Sequence, residues 1–211
     1  MPWKLKRWIL NRFFHYAIHP KAWIGFSYIF PQHLIMDEGA KIGHLNVAIH
    51  LDKISMGKNS IISRGNWITG FPLETNAPFF KHDNTRKSEL IVGQEAAITK
   101  NHHIDCTNSI RIGDYTIIAG YRSQFLSHSI DIYENRQDSH PITIGNYCFI
   151  STGVIVLGGS SLPDHSVLGA GAVLNKLFTE EYKLYAGVPA KPVKDIKPEA
   201  RYFNRISGFV F

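Results

Sequence analysis

From Ile144 onward an aliphatic residue returns at every sixth position: Ile144, Ile150, Val156, Leu162, Leu168 and Leu174. Four residues after each of the first five stands a small or modest side chain, namely Cys148, Val154, Ser160, Ser166 and Ala172. A period of six is neither the helical period nor the plain alternation of a strand. It suits a chain that runs a short strand, turns a corner and repeats. The aliphatic residue then points into a narrow shaft, and the small residue fits near the corner. Three such hexads close one triangular coil, and successive coils stack by parallel pairing roughly 4.8 Å apart. One coil cannot bury its own aliphatic residues, so the arrangement is stable only as a stack. The rhythm predicts an all-β solenoid, a parallel β-helix.

The same rhythm runs earlier. Val92, Ile98 and Ile104 are six apart; after a two-residue slip come Ile112 and Ile118, with Gln124 in the next slot. Met56, Ile62 and Ile68 form another set, and Ile42 begins a further one. Two polar or proline-containing stretches, about 70–91 and 125–143, interrupt the pattern and read as loops thrown out from coil corners. Loops on a rigid scaffold are where function concentrates. The expected organisation is an N-terminal amphipathic helix and cap over 1–34, the β-helix over 35–194 and a tail over 195–211.

The net charge of +6 suits an anionic partner: nucleic acid, an anionic membrane face or a phosphorylated cofactor. No nucleic-acid-binding motif is present, so that partner is not expected. Two cysteines, Cys106 and Cys148, are too few for a disulfide framework, which points to a reducing cytoplasm. Residues 3–16 set Trp3, Trp8, Ile9, Phe13 and Phe14 among basic residues. Such a helix either covers the exposed strand edge at the open end of the β-helix or makes peripheral contact with a membrane surface.

The stretch PITIGNYCFISTGVIVLGGSSLPDHSVLGAGAVLNK, followed by LYAGVPAKPVK, resembles the closing coils of the hexapeptide-repeat acyltransferase family. NHHIDCTNSIRIGDYTIIAGYRSQFLSHSIDI resembles the coil that leads to that family's active-site loop. The galactoside, maltose and xenobiotic acetyltransferases and the polysaccharide O-acetyltransferases are similar in style. The resemblance implies a left-handed coil, an exception to the usual right-handed crossover. It also implies a homotrimer with parallel axes, an active site in the groove between neighbours, and acetyl-CoA lying along that groove beside the closing coils.

Moving an acetyl group from a thioester to a hydroxyl needs a base, an oxyanion donor and a held acceptor. The resemblance places the base at His128, in FLSHSID; an imidazole exchanges protons near neutrality. A carboxylate or carbonyl on the other ring nitrogen would fix the tautomer, and Asp131 and Glu134 are near in sequence. Asn101, His103 and Asp105 alternate along a short strand and share an outward face suited to gripping sugar hydroxyls. His103 is the rival base. His102 falls in a small-residue slot, as a buried, hydrogen-bonded corner residue. For the cofactor, the family pattern carries over to Thr152 and Gly153 beside the pantetheine arm, Ala170 in the GAG turn, and Lys176 and Lys191 near the phosphates. A zinc site needs a close histidine pair plus a third ligand facing one cleft, and nothing after His128 supplies the pair, so no metal is expected.

The expectation is an acetyl-CoA-dependent O-acetyltransferase acting on a sugar or surface-polysaccharide precursor, in the cytoplasm or at the inner face of the membrane. An amine acceptor and a non-catalytic β-helix scaffold stay open as alternatives.

Overall fold

A computed structural model describes residues 2–75 and 77–210. Three parallel sheets form the three faces of a prism, and the chain visits them in turn. One coil runs His33–Met36, Lys41–Ile42 and Val47–Ile49; the next runs Lys53–Met56, Ile61–Arg64 and Trp67–Thr69, each strand pairing with its counterpart above. This is the left-handed parallel β-helix with protruding excursions and one short helix.

The six-residue rhythm fills the shaft. Met36, Met56, Val92, Ile112, Ile144 and Leu162 stack inward from the first face. Ile42, Ile62, Ile98, Ile118, Ile150 and Leu168 stack from the second, and Ile68, Ile104, Val156 and Leu174 from the third. Gln124 does not take the slot expected of it. Phe125 is fully buried there, in register with Ile104 and Val156, while Gln124 is exposed. The corner Gly120–Arg122 holds one residue more than its neighbours, and a one-residue shift exchanges the two faces of a strand.

The coils also start upstream of residue 35. Ala17–Ile18, Trp23–Ile24 and Tyr28–Phe30 already pair into all three faces. The second interruption is an antiparallel hairpin, His128–Asp131 against Arg136–Ser139, rather than a plain loop. After Lys191–Asp195, which pairs antiparallel to Lys183–Ala186, the tail folds back along the second face. There Tyr202 donates its hydroxyl to the Cys148 carbonyl (2.9 Å), and Phe203 is buried.

The corner slots between the second and third faces carry a polar ladder. Asn46 Oδ1 accepts the Asn66 N–H (2.9 Å), Asn66 Oδ1 accepts the His102 N–H (3.0 Å), and His102 Nδ1 accepts the Ser123 N–H (3.2 Å). Thr99 spends its hydroxyl proton on the Gly120 carbonyl, so it accepts from His102 Nε2 at 3.0 Å. The neutral ring is thus fully satisfied, and a proton on Nδ1 would face another N–H. Burial pushes the His102 imidazole down to about 4. A histidine with a depressed folded value is neutral in both states above its ordinary value of about 6.5, so its contribution is complete there. As pH falls from about 6.5 toward 4, the unfolded chain takes up a proton that the folded chain refuses, and stability drops. Urea midpoints measured across that window are expected to fall less steeply for His102→Gln than for the wild type. Equal slopes would remove His102 from the account.

Candidate active site

The hairpin bearing His128 leaves the corner between the third and first faces, and buried polar groups hold its base. Ser127 donates its hydroxyl to the Asp105 carbonyl (2.6 Å) and accepts the Asn108 N–H (2.8 Å); the Asn108 amide reaches Ser139 (3.2 Å). His128 is the first strand residue beyond this clamp, half-exposed, so its ring is aimed by a rigid root rather than by a free loop.

Its Nδ1 lies 3.6 Å from Asp105 Oδ2. Its Nε2 meets the side-chain amide of Gln137 on the returning strand. Asp105 is itself fixed, because its Oδ1 accepts the Thr107 N–H (3.0 Å) and the Thr107 hydroxyl (2.7 Å). That leaves Oδ2 for the imidazole. The carboxylate facing His128 is therefore Asp105, which the parallel stacking of successive coils brings beside it. Asp131 is occupied elsewhere, accepting the Tyr133 N–H (3.0 Å) and pairing with Arg136 (3.6 Å).

The excursion between Thr69 and Glu89 supplies the opposite wall. Buried Arg86 donates to the carbonyls of Phe71 (2.5 Å) and Thr107 (2.7 Å), and its guanidinium lies 4.6 Å from the Phe80 ring centre. Burial lowers the Arg86 pKa, opposed by Asp52 and Asp83. Phe80, pinned in this way, presents its ring to His128 at 5.6 Å, edge to face. Between these walls opens a cavity of 410 Å³ lined by Thr69, Phe79, Phe80, His103, Asp105 and His128 among others.

The structure brings His103, Asp105 and His128 into one cavity and leaves Asn101 out of it. The strand is His103–Asp105 only; Asn101 is the preceding corner residue, with φ of 55°, so it does not alternate with the other two. It lines an adjoining groove of 690 Å³ with Trp67, Arg122 and Gln124, and His103 borders both spaces.

The expected cofactor residues fall on the corner between the second and third faces. Thr152 donates its hydroxyl to the Tyr121 carbonyl (3.1 Å) and accepts the Tyr121 N–H (3.2 Å), and the Gly171 N–H bonds the Thr152 carbonyl (3.1 Å), stacking Thr152–Gly153 under Ala170–Gly171. Open space adjoins both Gly153 and Gly171. Lys191 pairs with Ala186, next to the top of this column. Lys176 does not join them: it is exposed beyond Val173–Leu174, toward the far corner of the third face. Among the described residues, Asp164, His165 and Glu181 are the group with metal-ligand spacing. They sit on the corner between the first and second faces, where His165 stacks between Tyr147 and Tyr182.

Sequence reasoning missed Thr107, Gln137, Phe80 and Arg86. The run Asp105-Cys106-Thr107 carries a legible signal, since an Asp commonly bonds the backbone two residues on. Phe80 and Gln137 carry none, because they belong to two separate excursions that meet only in space.

No family model matches the chain. It is 28% identical over 120 residues to the galactoside O-acetyltransferase of Escherichia coli, covering 55% of this chain and 59% of that one. The chain thus spans less than two thirds of the curated relatives it matches. Its fold is similar to that of a hexapeptide transferase family protein from Anaplasma phagocytophilum, at TM-score 0.53 and 20% identity, over 90% of this chain and 85% of that one. In repeat, fold and sequence, the chain is similar to the hexapeptide-repeat acetyltransferases.

Proposed function

We propose that the chain is an acetyl-CoA-dependent O-acetyltransferase that transfers the acetyl group directly to a hydroxyl of a sugar or surface-polysaccharide precursor. The observation that carries this is the His128–Asp105 contact at 3.6 Å, in a cavity wide enough for a sugar ring. As the acceptor enters, Asp105 closes from 3.6 Å to receive the Nδ1–H, and withdrawal of Gln137 Oε1 leaves Nε2 unprotonated as the base. The acceptor hydroxyl takes the place of the Gln137 amide at Nε2. As its oxygen attacks the thioester carbonyl, Nε2 takes the hydroxyl proton. The tetrahedral intermediate collapses, the C–S bond breaks, and the same proton passes to the departing CoA thiolate. His103 borders the cavity and grips the acceptor; Asn101 meets it from the adjoining groove that His103 also borders.

Acetyl-CoA lies along the column Thr152–Gly153 and Ala170, with Lys191 toward its phosphates. Lys176, at the far corner of the face, reaches the phosphates only from the other side of that groove. Three copies packed with parallel axes would close the groove, and the exposed Tyr28, Phe30 and Trp67 on the third face support such packing. A cytoplasmic setting supplies the acyl donor.

Titration calorimetry with acetyl-CoA needs no knowledge of the acceptor and tests the reading first. The expected result is saturable binding at one site per subunit, followed by CoA release in a panel of sugars and amino sugars. Absence of binding by an intact, folded protein would move the chain to the scaffold class. Release confined to amine acceptors would reassign the acceptor group.

A further inference from the structure

The N-terminal helix α1 (Trp3–Phe13) is built inside out for a surface helix. A helix on a water-soluble core turns its apolar stripe inward and its charges outward. Here the inward face is largely polar. Lys6 Nζ donates to the Gly25 carbonyl (3.0 Å), Arg7 to the Ile18 carbonyl (3.2 Å), Asn11 to the same carbonyl (3.1 Å) and the Trp3 indole to the Ala22 carbonyl (2.9 Å). These carbonyls belong to the first coil, which has no coil beneath it to supply donors, so the helix spends its polar groups closing an open sheet edge. Leu10 is its one buried apolar side chain.

The outward face holds what is left. Leu5, Trp8 and Phe13 are exposed, the last two at 56% and 63%, and Trp8 meets Phe13 edge-on at 5.8 Å. Exposed Phe14 extends the patch to the edge of the third face, 5.8 Å from Phe30. Lys4 and Arg12, both exposed, flank it. The charge of the whole chain is concentrated at this end. Residues 1–36 contain Lys4, Lys6, Arg7, Arg12 and Lys21 and no acid, whereas the rest of the chain has 18 basic residues against 17 acidic.

We propose that this end of the β-helix docks on an anionic lipid surface, with Trp8, Phe13 and Phe14 entering the headgroup region and Lys4 and Arg12 meeting lipid phosphates. Amphipathic aromatic rings favour that depth, and basic residues beside them are drawn to anionic headgroups. The charge decides against another copy of the same helix face as occupant, because exposed Lys4 and Arg12 of one copy would meet those of the other. No helix of the described residues is long and apolar enough to cross a membrane, so contact through this face is peripheral. The inference stands independently of the acyl-transfer reading.

The test is flotation of the full chain with vesicles of phosphatidylcholine alone and with roughly one quarter phosphatidylglycerol. The wild type is expected to float with the anionic vesicles and not with the neutral ones. Trp8→Ser combined with Phe13→Ser leaves the charge unchanged and is expected to weaken binding about 10-fold or more. Absence of flotation overturns the proposal. So does undiminished flotation of the serine variant, which would reduce the effect to the general attraction of a basic protein. A change in the variant's sedimentation without vesicles would assign the patch to a second copy instead. Should the variant fail to fold, brominated acyl chains must quench the wild type's tryptophan emission, and unquenched emission overturns the proposal equally.

Discussion

Replacing His128 by alanine is expected to lower acetyl transfer by about 10²-fold or more while leaving acetyl-CoA affinity unchanged. The side chain is half-exposed and makes three contacts, with Asp105, Gln137 and the Phe80 ring, so its removal opens no core cavity. A surface change of this kind moves stability by about 0.5 kcal/mol or less, so a fall in rate cannot be charged to unfolding. Affinity is expected to be spared because the column proposed for the cofactor lies on the other corner of the third face. Asp105→Asn separates the two partners of the pair. It keeps the shape, and with Oδ1 still accepting both Thr107 hydrogen bonds the new amide NH2 is what faces Nδ1. Turnover should fall about 10-fold or more through the wrong tautomer, with CoA binding again retained. The measurement is thiol release with whichever acceptor the sugar panel yields. Near-normal turnover of His128→Ala would pass the base role to His103, the other imidazole in the cavity. A loss of rate accompanied by an equal loss of acetyl-CoA binding would make His128 a ligand contact rather than a base.

The reach of sequence reasoning follows from where each feature's information resides. Ile144 to Leu174 repeat because every coil meets the same shaft, so the periodicity is a direct image of the interior. The slot after Ile118 fails because a corner can absorb one extra residue without disturbing the stack, and Gly120–Arg122 does so. That slip is invisible until pairing shows Phe125, not Gln124, beside Ile104. The first coil was hidden for a related reason. Its inward residues Ile18, Ile24 and Ile29 are spaced six and then five apart, and exposed aromatics on its outer side give it the look of a continued amphipathic segment. In the candidate site, His128 is legible only through the resemblance of the stretch around FLSHSID, since the repeat alone says nothing of a residue on an excursion. Its partner is not. The nearby acids Asp131 and Glu134 lie along the hairpin, whereas Asp105 lies one coil below, where parallel stacking makes residues about twenty apart into neighbours. His102 shows the opposite case: a histidine in a slot meant for small side chains is readable as buried from the repeat alone.

Substituting Ala170 by tryptophan is expected to weaken acetyl-CoA binding about 10- to 100-fold without altering the melting temperature, and this rests on the wild type binding acetyl-CoA at all. The corner residues Leu45, Gly65, Asn101, Arg122, Gly153 and Gly171 share one left-handed conformation, with φ between 55° and 68°. Leu, Asn and Arg adopt it on the lower coils, so the turn itself does not demand glycine. At Gly153 and Gly171 no atom stands within 4 Å of where a side chain would begin. Glycine there is required neither by backbone geometry nor by crowding within the chain, which leaves an open strip bounded by Thr152 and Ala170. A cofactor arm fits such a strip because backbone N–H and carbonyl groups are accessible along it. Ala170 is exposed and has an ordinary φ, so a larger side chain can be carried without strain and extends over the strip rather than into the core. An indole there competes with the cofactor for the same volume, and an overpacking cost of about 1–3 kcal/mol corresponds to the stated loss. Calorimetry on Ala170→Trp alongside the wild type provides the comparison. Wild-type affinity in the variant would take the cofactor off this corner. Lost affinity with an unchanged melting profile would place it there, above the coil that carries Thr152 and across the third face from His128.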